Sequence, residues 1–376
     1  MTTPQPGEAA RPTVEAASWI AAAALILLAA VSLRRGGQDF AVYWRAAGRA
    51  LGGEPLYPAA DGFLAYRYAP GTALLFAPFA ALPLTTAKVV WYALMVGCGV
   101  LAVRRLAAPA GGRSGAVTAL VLLALARPLL EEFQCGQTNL VVLLLLMTAF
   151  AWEDEGRALR SGLLISLAFG LKLAPALLLA DLALRRRWRV LCGFTLGAAA
   201  IAVAPVPWYG LAGTVALHRS WAGSLSSAAP TTTADGANQS ILGVAARLGV
   251  PTLAAMVAAA LLVAWVLRRP TLEKRRALLL FCMALASPMG WIQNYVIALP
   301  ALFAVAHVGG RRAATAAAVG VLLVVPIYDI TGPAFEGWFF SRSLPFAAMA
   351  GFFALAAAAP EGPGRSLPCS GRDVRT

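Results

Sequence analysis

Apolar residues in this chain fall in long continuous runs rather than in alternation with polar ones. The runs lie at 17–33, 84–103, 116–130, 140–152, 190–206, 251–267, 277–286, 295–308, 313–327 and 344–359. A further run, 161–184, is interrupted by Lys172 and Pro175. Unbroken apolar stretches predict helices, since strands of a membrane barrel alternate apolar and polar positions. In hydrocarbon a helix also satisfies its own backbone hydrogen bonds. The pattern therefore predicts an all-α polytopic membrane protein. Residues 1–16 read as a Pro-containing disordered tail, 17–360 as a single transmembrane domain, and 361–376 as a basic cytoplasmic tail. Between the first two runs, 40–51 has helical spacing with Arg45 and Arg49 on one side, which suits a helix lying along the interface. Residues 69–82 are apolar but short and bounded by prolines, as in a segment that enters the membrane without crossing it. The stretches 207–250 and 329–343 read as polar loops.

Charge orients these helices. The chain is 60% hydrophobic and 13% charged, with a net charge of +14. A soluble domain is roughly a quarter charged. The basic residues sit in short clusters between apolar runs, the pattern of cytoplasmic loops, so the excess does not point to nucleic acid. Placing 104–113, 157–160, 185–189, 268–276, 311–312 and the tail inside makes 131–138 and 287–294 outer hairpin turns. It also requires 161–184 to cross twice, in halves of ~18 Å against a core of ~30 Å. The result is about twelve membrane helices, within a range of about 10–13. Arg34 and Arg35 fall outside in this arrangement, against the charge rule. No small-residue cleavage site follows the first run, so it reads as a retained anchor. Five scattered cysteines and two histidines form neither a disulfide framework nor a histidine–cysteine metal motif. No cofactor is called for, although a divalent cation on carboxylates stays open.

The unusual polar residues gather on the outer side of this topology. Asp39 lies just past the first run. It can cap a helix or pair with Arg34 and Arg35. As a carboxylate at the membrane boundary it can also take the proton of an attacking hydroxyl. Lys172 interrupts an apolar run, where a charge is costly and usually functional; it suits a phosphate, or snorkels to the interface. Gln134, Gln137 and Asn139 surround a glycine at a hairpin tip, suited to sugar hydroxyls or to capping. Ser287, Trp291, Gln293 and Asn294 combine an aromatic face with amides. Asn238–Ser240 spells a glycosylation sequon that serves equally well to cap a helix starting near Ser240, and His218 with Arg219 reads as a solvated loop pair. Glu54 and Asp61 are candidate ligands for sugar hydroxyls.

In order, DFAVYWRAAGRALGGEPLYP, YRYAPGTALLFAPFAALP, QCGQTNLVVLLLL, GLKLAPALLLADLALRRRWR, NQSILGVAARL and SPMGWIQNYV resemble glycosyltransferase family 87. The resemblance covers residues from about 17 to 310 and rests on the ordered series rather than on one motif. It implies a GT-C fold with a large first outer loop. It also implies inverting transfer of a sugar, mannose in the actinobacterial members, from a polyprenyl-phosphate donor to a lipid-linked or glycolipid acceptor. Asp39 then corresponds to the general base, and Lys172 to a lysine suited to the donor phosphate. Tyr43, Tyr57, Tyr66 and Tyr68 match the aromatic loop positions, and Gln134, Gln137 and Asn139 the amide turn. The family tends to carry a histidine after the tryptophan where Gln293 and Asn294 stand here. Two readings compete with an enzyme: a transporter or flippase, and an envelope-assembly protein that has kept the fold without the activity. The expected partners are donor, acceptor and membrane lipids, with no nucleic acid.

Overall fold

The structure is a computed structural model that describes residues 6–34, 36–324 and 326–360. Every regular element among the described residues is a helix, as the unbroken apolar runs require. Two segments, Val14–Leu33 and Leu84–Ala124, are long and apolar enough to cross a membrane. Three sharply bent pairs raise this to five if each pair is one span: Ala126–Cys135 with Asn139–Asp154, Trp188–Val203 with Val206–Ser227, and Ile330–Ser341 with Leu344–Ala358. Four shorter apolar helices complete the set: Ala158–Leu171, Ala174–Leu184, Thr252–Leu267 and Ile292–Val308.

Several elements differ from the sequence reading. The first helix, Pro6–Leu33, starts within the expected tail. Much of 207–250 is not a loop but the helix Val206–Ala234, followed by Ile241–Arg247. Its serines, threonines and glycines break the apolar run, yet Ala and Leu keep the helical propensity high. Likewise 329–343 is mostly the helix Tyr328–Ser341. The helix Gln38–Gly52 forms as expected, and 69–82 becomes two short helices, Pro70–Leu75 and Ala77–Ala80. The helix Ala158–Leu171 ends at the predicted interruption, where Lys172 is extended (φ −162°, ψ 131°). The basic tail 361–376 lies outside the described residues.

The chain forms two compact units. One comprises Ala29–Met95 and Glu132–Thr232. Its centre is the buried face of Gln38–Gly52, where Phe40 stacks on Trp91 (ring centroids 5.4 Å) and Tyr43 leans on Phe76 (4.8 Å). Such ring pairs add about 0.5–1.5 kcal/mol each beyond burial. In the same unit Ala158–Leu171 and Trp188–Val203 approach closely: a Cβ on Gly193 would lie 2.2 Å from the Leu159 carbonyl oxygen, and one on Gly162 2.0 Å from that of Val190. At one end of this pair Glu153, 2% exposed, accepts from Arg185 Nη1 at 2.8 Å and Arg187 Nε at 2.7 Å, while Arg185 Nε also donates to Asp181 at 2.7 Å.

The other unit comprises residues up to Leu28, Val96–Glu131 and the described residues from Thr233 onward. There the buried Asn238–Ser240 segment is tied to the turn before Trp291. Asn238 Oδ1 accepts from Gly290 N at 3.0 Å, Asn238 Nδ2 donates to the Pro288 carbonyl at 2.8 Å, and Tyr295 donates to the Gln239 carbonyl at 2.5 Å. Ser240 caps Ile241–Arg247 by accepting from Gly243 N. The sequon asparagine is fully buried and locks this turn, while the cap is supplied by Ser240.

Candidate active site

Two tight turns in the first of these units face each other. One is Gly36–Gly37, which starts Gln38–Gly52 and so presents Asp39 in its first turn. The other is the 135–138 bend between Ala126–Cys135 and Asn139–Asp154, with Gly136 at φ 71°. That left-handed conformation strains any residue with a Cβ. A Cβ on Gly136 would in addition press on Phe40 at 3.0 Å. Gly37 N donates to the Gln134 carbonyl at 2.7 Å, joining the two turns. Helix Leu84–Ala107 clamps them: Lys88 donates to the Gly36 carbonyl, Trp91 Nε1 to that of Gly136, and Tyr92 to that of Phe133, at 2.6, 3.0 and 2.7 Å.

The clamped turns bring several of the candidate side chains together. Half-buried Asp39 accepts a short hydrogen bond from Gln137 Nε2. The other end of that amide, Oε1, accepts from Tyr43 at 3.4 Å, and Tyr43 shares a hydrogen bond of 2.9 Å with Tyr68. Lys172, arriving from the break after Ala158–Leu171, donates to Asn139 Oδ1 at 2.6 Å. Asn139 Nδ2 donates in turn to Glu132 Oε2 at 2.6 Å. Glu132, wholly buried, also accepts from Leu140 N at 3.1 Å and so caps the helix that starts at Asn139. Burial holds the Asp39 carboxyl above the ordinary carboxylate range, and Gln137 and Lys172 partly offset this.

The sequence-selected residues therefore separate. Asp39, Tyr43, Tyr68, Gln137, Asn139 and Lys172 are joined in two hydrogen-bonded chains, Asp39–Gln137–Tyr43–Tyr68 and Lys172–Asn139–Glu132. Gln134 takes part through its carbonyl, which fixes the turn ahead of Asp39. Tyr66 is 1% exposed with its hydroxyl on the Ala69 carbonyl, so it acts on the site by packing Tyr57 and Tyr68. Asp61 is bound by Arg49 through both oxygens, at 2.5 and 3.0 Å, and that ion pair holds it below the ordinary carboxylate range. His218 is no solvated loop residue: it sits in a helix, with Nε2 3.0 Å from the Ala202 carbonyl. Trp291, Gln293 and Asn294 belong to the other unit. There Gln293 and Asn294 are buried, and Asn294 Nδ2 donates to the Met289 carbonyl at 3.0 Å. Among the described residues no three His, Cys, Asp or Glu side chains gather as a metal set.

Sequence reasoning missed Glu132. A carboxylate pair, Glu131–Glu132, between two apolar runs was the available signal.

The first unit thus brings a carboxylate, a lysine and side-chain amides together on apolar helices, groups that can take up a proton and offset a negative charge. The chain belongs to glycosyltransferase family 87, whose model matches residues 66–289, and is thus a hexosyltransferase. The matched stretch includes Glu132, Gln137, Asn139 and Lys172, and begins past Asp39. Over 341 residues the chain is 30% identical to the polyprenol-phosphate-mannose-dependent alpha-(1-2)-phosphatidylinositol mannoside mannosyltransferase of Mycolicibacterium smegmatis, covering 77% of this chain and 75% of that protein. The protein of the same name from Mycobacterium tuberculosis is 29% identical over 332 residues, covering 76% of this chain and 75% of its own. No solved structure matches the chain.

Proposed function

We propose that this enzyme transfers mannose from a polyprenyl-phosphate donor to a glycolipid acceptor, with inversion at the anomeric carbon, on the outer face of the cell membrane. Asp39 takes the proton of the acceptor hydroxyl as its oxygen attacks the anomeric carbon. The bond from that carbon to the phosphate oxygen breaks, and the polyprenyl phosphate leaves with the electron pair. Lys172 offsets the charge of the departing phosphate, and Tyr68 with the amide turn borders the sugar. The phosphate is already a competent leaving group, so one base and one cation suffice. The names of the two relatives support the donor, and point to a phosphatidylinositol mannoside as the kind of acceptor. A single domain of about twelve membrane helices, with the basic clusters inside, belongs to this proposal.

The observation that carries the reading is that one bend holds both Asp39 and Lys172, through two amides two residues apart, Gln137 and Asn139. The test is transfer from a short-chain polyprenyl phosphomannose to a phosphatidylinositol mannoside by purified protein. Asp39→Asn is expected to abolish transfer while expression and membrane insertion stay normal. Wild-type turnover in that variant removes Asp39 from the chemistry.

A further inference from the structure

Residues 66–68 are fastened on several sides within the unit that contains Asp39. The Tyr57 hydroxyl donates to the Tyr68 carbonyl at 2.6 Å, Trp221 Nε1 to the Arg67 carbonyl at 3.0 Å, and the Tyr66 hydroxyl to the Ala69 carbonyl at 3.2 Å. The rings of Tyr66 and Tyr68 pack 5.7 Å apart, and Tyr68 leads through Tyr43 and Gln137 to Asp39. All of these contacts use the backbone, the tyrosines or the tryptophan. Arg67 Nη1, by contrast, is buried and has no hydrogen-bond acceptor. The arginine as a whole is half-buried, so its guanidinium is open on one side. A charged donor sealed from water without an acceptor is costly, and nearly every buried polar group in a folded protein has a partner. Other cations of the same stretch are matched: Arg49 on Asp61, Arg45 on the Leu64 carbonyl at 3.3 Å, and Lys88 on that of Gly36.

We propose that Arg67 binds the phosphodiester of the acceptor lipid and so selects an anionic glycolipid over a neutral one. The planar guanidinium presents two parallel N–H donors, which match two oxygens of a phosphodiester. An oxygen arriving from the open side supplies the acceptor that the protein does not. Of the cations in this unit, Lys172 bears on the charge of Asp39 and Arg67 does not, so Arg67 stands off from the reacting atoms. A departing phosphate has to lie beside those atoms. The phosphate of an acceptor is separated from its attacking hydroxyl by the sugars of the head group, and it can be held farther away. The phosphatidylinositol mannoside proposed above carries such a phosphodiester. Because Trp221 pins the Arg67 carbonyl, a phosphate held there is set in register with Tyr68 and, through it, with the base. The contact moves no proton and breaks no bond; it fixes where the head group lies.

The inference rests on the proposed transfer to a glycolipid, and the experiment separates the two. The transfer assay above is run with phosphatidylinositol mannoside and with an uncharged analogue in which an ether link replaces the phosphodiester. Wild type is expected to show a KM for the charged acceptor roughly tenfold or more below that for the analogue. Arg67→Gln is expected to raise the KM for phosphatidylinositol mannoside roughly ten- to hundredfold. It should move the KM for the analogue, and for the short-chain polyprenyl phosphomannose, by no more than about twofold. Arg67→Lys keeps the charge without the paired donors and is expected to fall between wild type and Arg67→Gln. Equal rises for both acceptors overturn the proposal, since a residue that only shapes the loop would act in that way. A rise confined to the phosphomannose overturns it too, and gives the cation to the donor phosphate. Absence of any wild-type transfer to phosphatidylinositol mannoside overturns the acceptor reading and this inference with it. Transfer with an unchanged KM in Arg67→Gln overturns this inference alone. If Arg67→Gln gives no folded protein, the wild type decides: equal KM for the charged and uncharged acceptors overturns the proposal.

Discussion

Gln137 serves Asp39 with one end of its amide and Tyr43 with the other, so its orientation is imposed rather than chosen. Burial raises the Asp39 carboxyl, and donation from Gln137 lowers it toward the usual range. With Asp39 as the proposed base the working form is the carboxylate, so activity is expected to be full above this raised value and lost as pH falls through it. Gln137→Leu removes a donor that favours the ionised form, and the acid limb of kcat/KM is expected to move to higher pH. Tyr43→Phe keeps the ring against Phe76 and loses the hydroxyl's two contacts, to Gln137 and Tyr68, worth about 1 kcal/mol each; since only the first bears on the amide that serves Asp39, a smaller shift in the same direction is expected. An unmoved limb in Gln137→Leu would show that the amide has no hold on the base. At this scale Asp39, Gln137, Asn139 and Lys172 were legible, because isolated polar groups in apolar surroundings are costly and stand out. Glu132 was not, for a geometric reason. Adjacent residues on a helix point about 100° apart, so Glu131 meets Arg127 at 2.6 Å while Glu132 turns to Asn139. Sequence gives the pair but not which member faces the lysine.

Helices in the unit that holds Asp39 are set by close backbone approach. Ala158–Leu171 carries Lys172 at its end, and it packs on Trp188–Val203 through Gly162 and Gly193. The atoms that a new side chain would meet are backbone, which cannot turn aside. Gly193→Leu is expected to push the helices apart and cost about 1–3 kcal/mol, read as a lower midpoint of thermal unfolding in detergent. Gly97→Ala, with nothing within 4 Å of the new Cβ, is the control and is expected to hold or slightly raise that midpoint. A Gly193→Leu midpoint equal to that of the control would show the contact to be slack. The sequence marked the break at Lys172 and the helix at Gln38–Gly52, since charge and period are local properties. It misread Val206–Ala234, because Ser, Thr and Gly scattered among its Ala and Leu residues signal a loop as readily as a helix.

For the whole molecule, the all-helical class followed from the long apolar runs, and the family from an ordered series of weak motifs. What the sequence could not supply is the assignment of each motif to a compact unit. SPMGWIQN stands among the site motifs in sequence, but its Asn294 locks its own turn, in the unit without Asp39. The net charge of +14 also bears on how the folded helices are joined. Arg185 and Arg187 belong to one of the basic clusters that the proposed topology places on the inner side. In the folded unit both are bound to Glu153, which lies at the far end of the preceding hairpin. Glu153→Ala should therefore leave orientation unchanged, as read by impermeant thiol labelling of introduced cysteines. It should lower thermal stability by about 1–2 kcal/mol, because the pairing and packing of a buried acid are lost while the arginines, partly exposed, take up water. A reversed orientation would show that the acid takes part in insertion itself. In the folded unit one buried carboxylate thus takes up two of the chain's surplus cations and fastens the stretch after Ala174–Leu184 to the end of Asn139–Asp154.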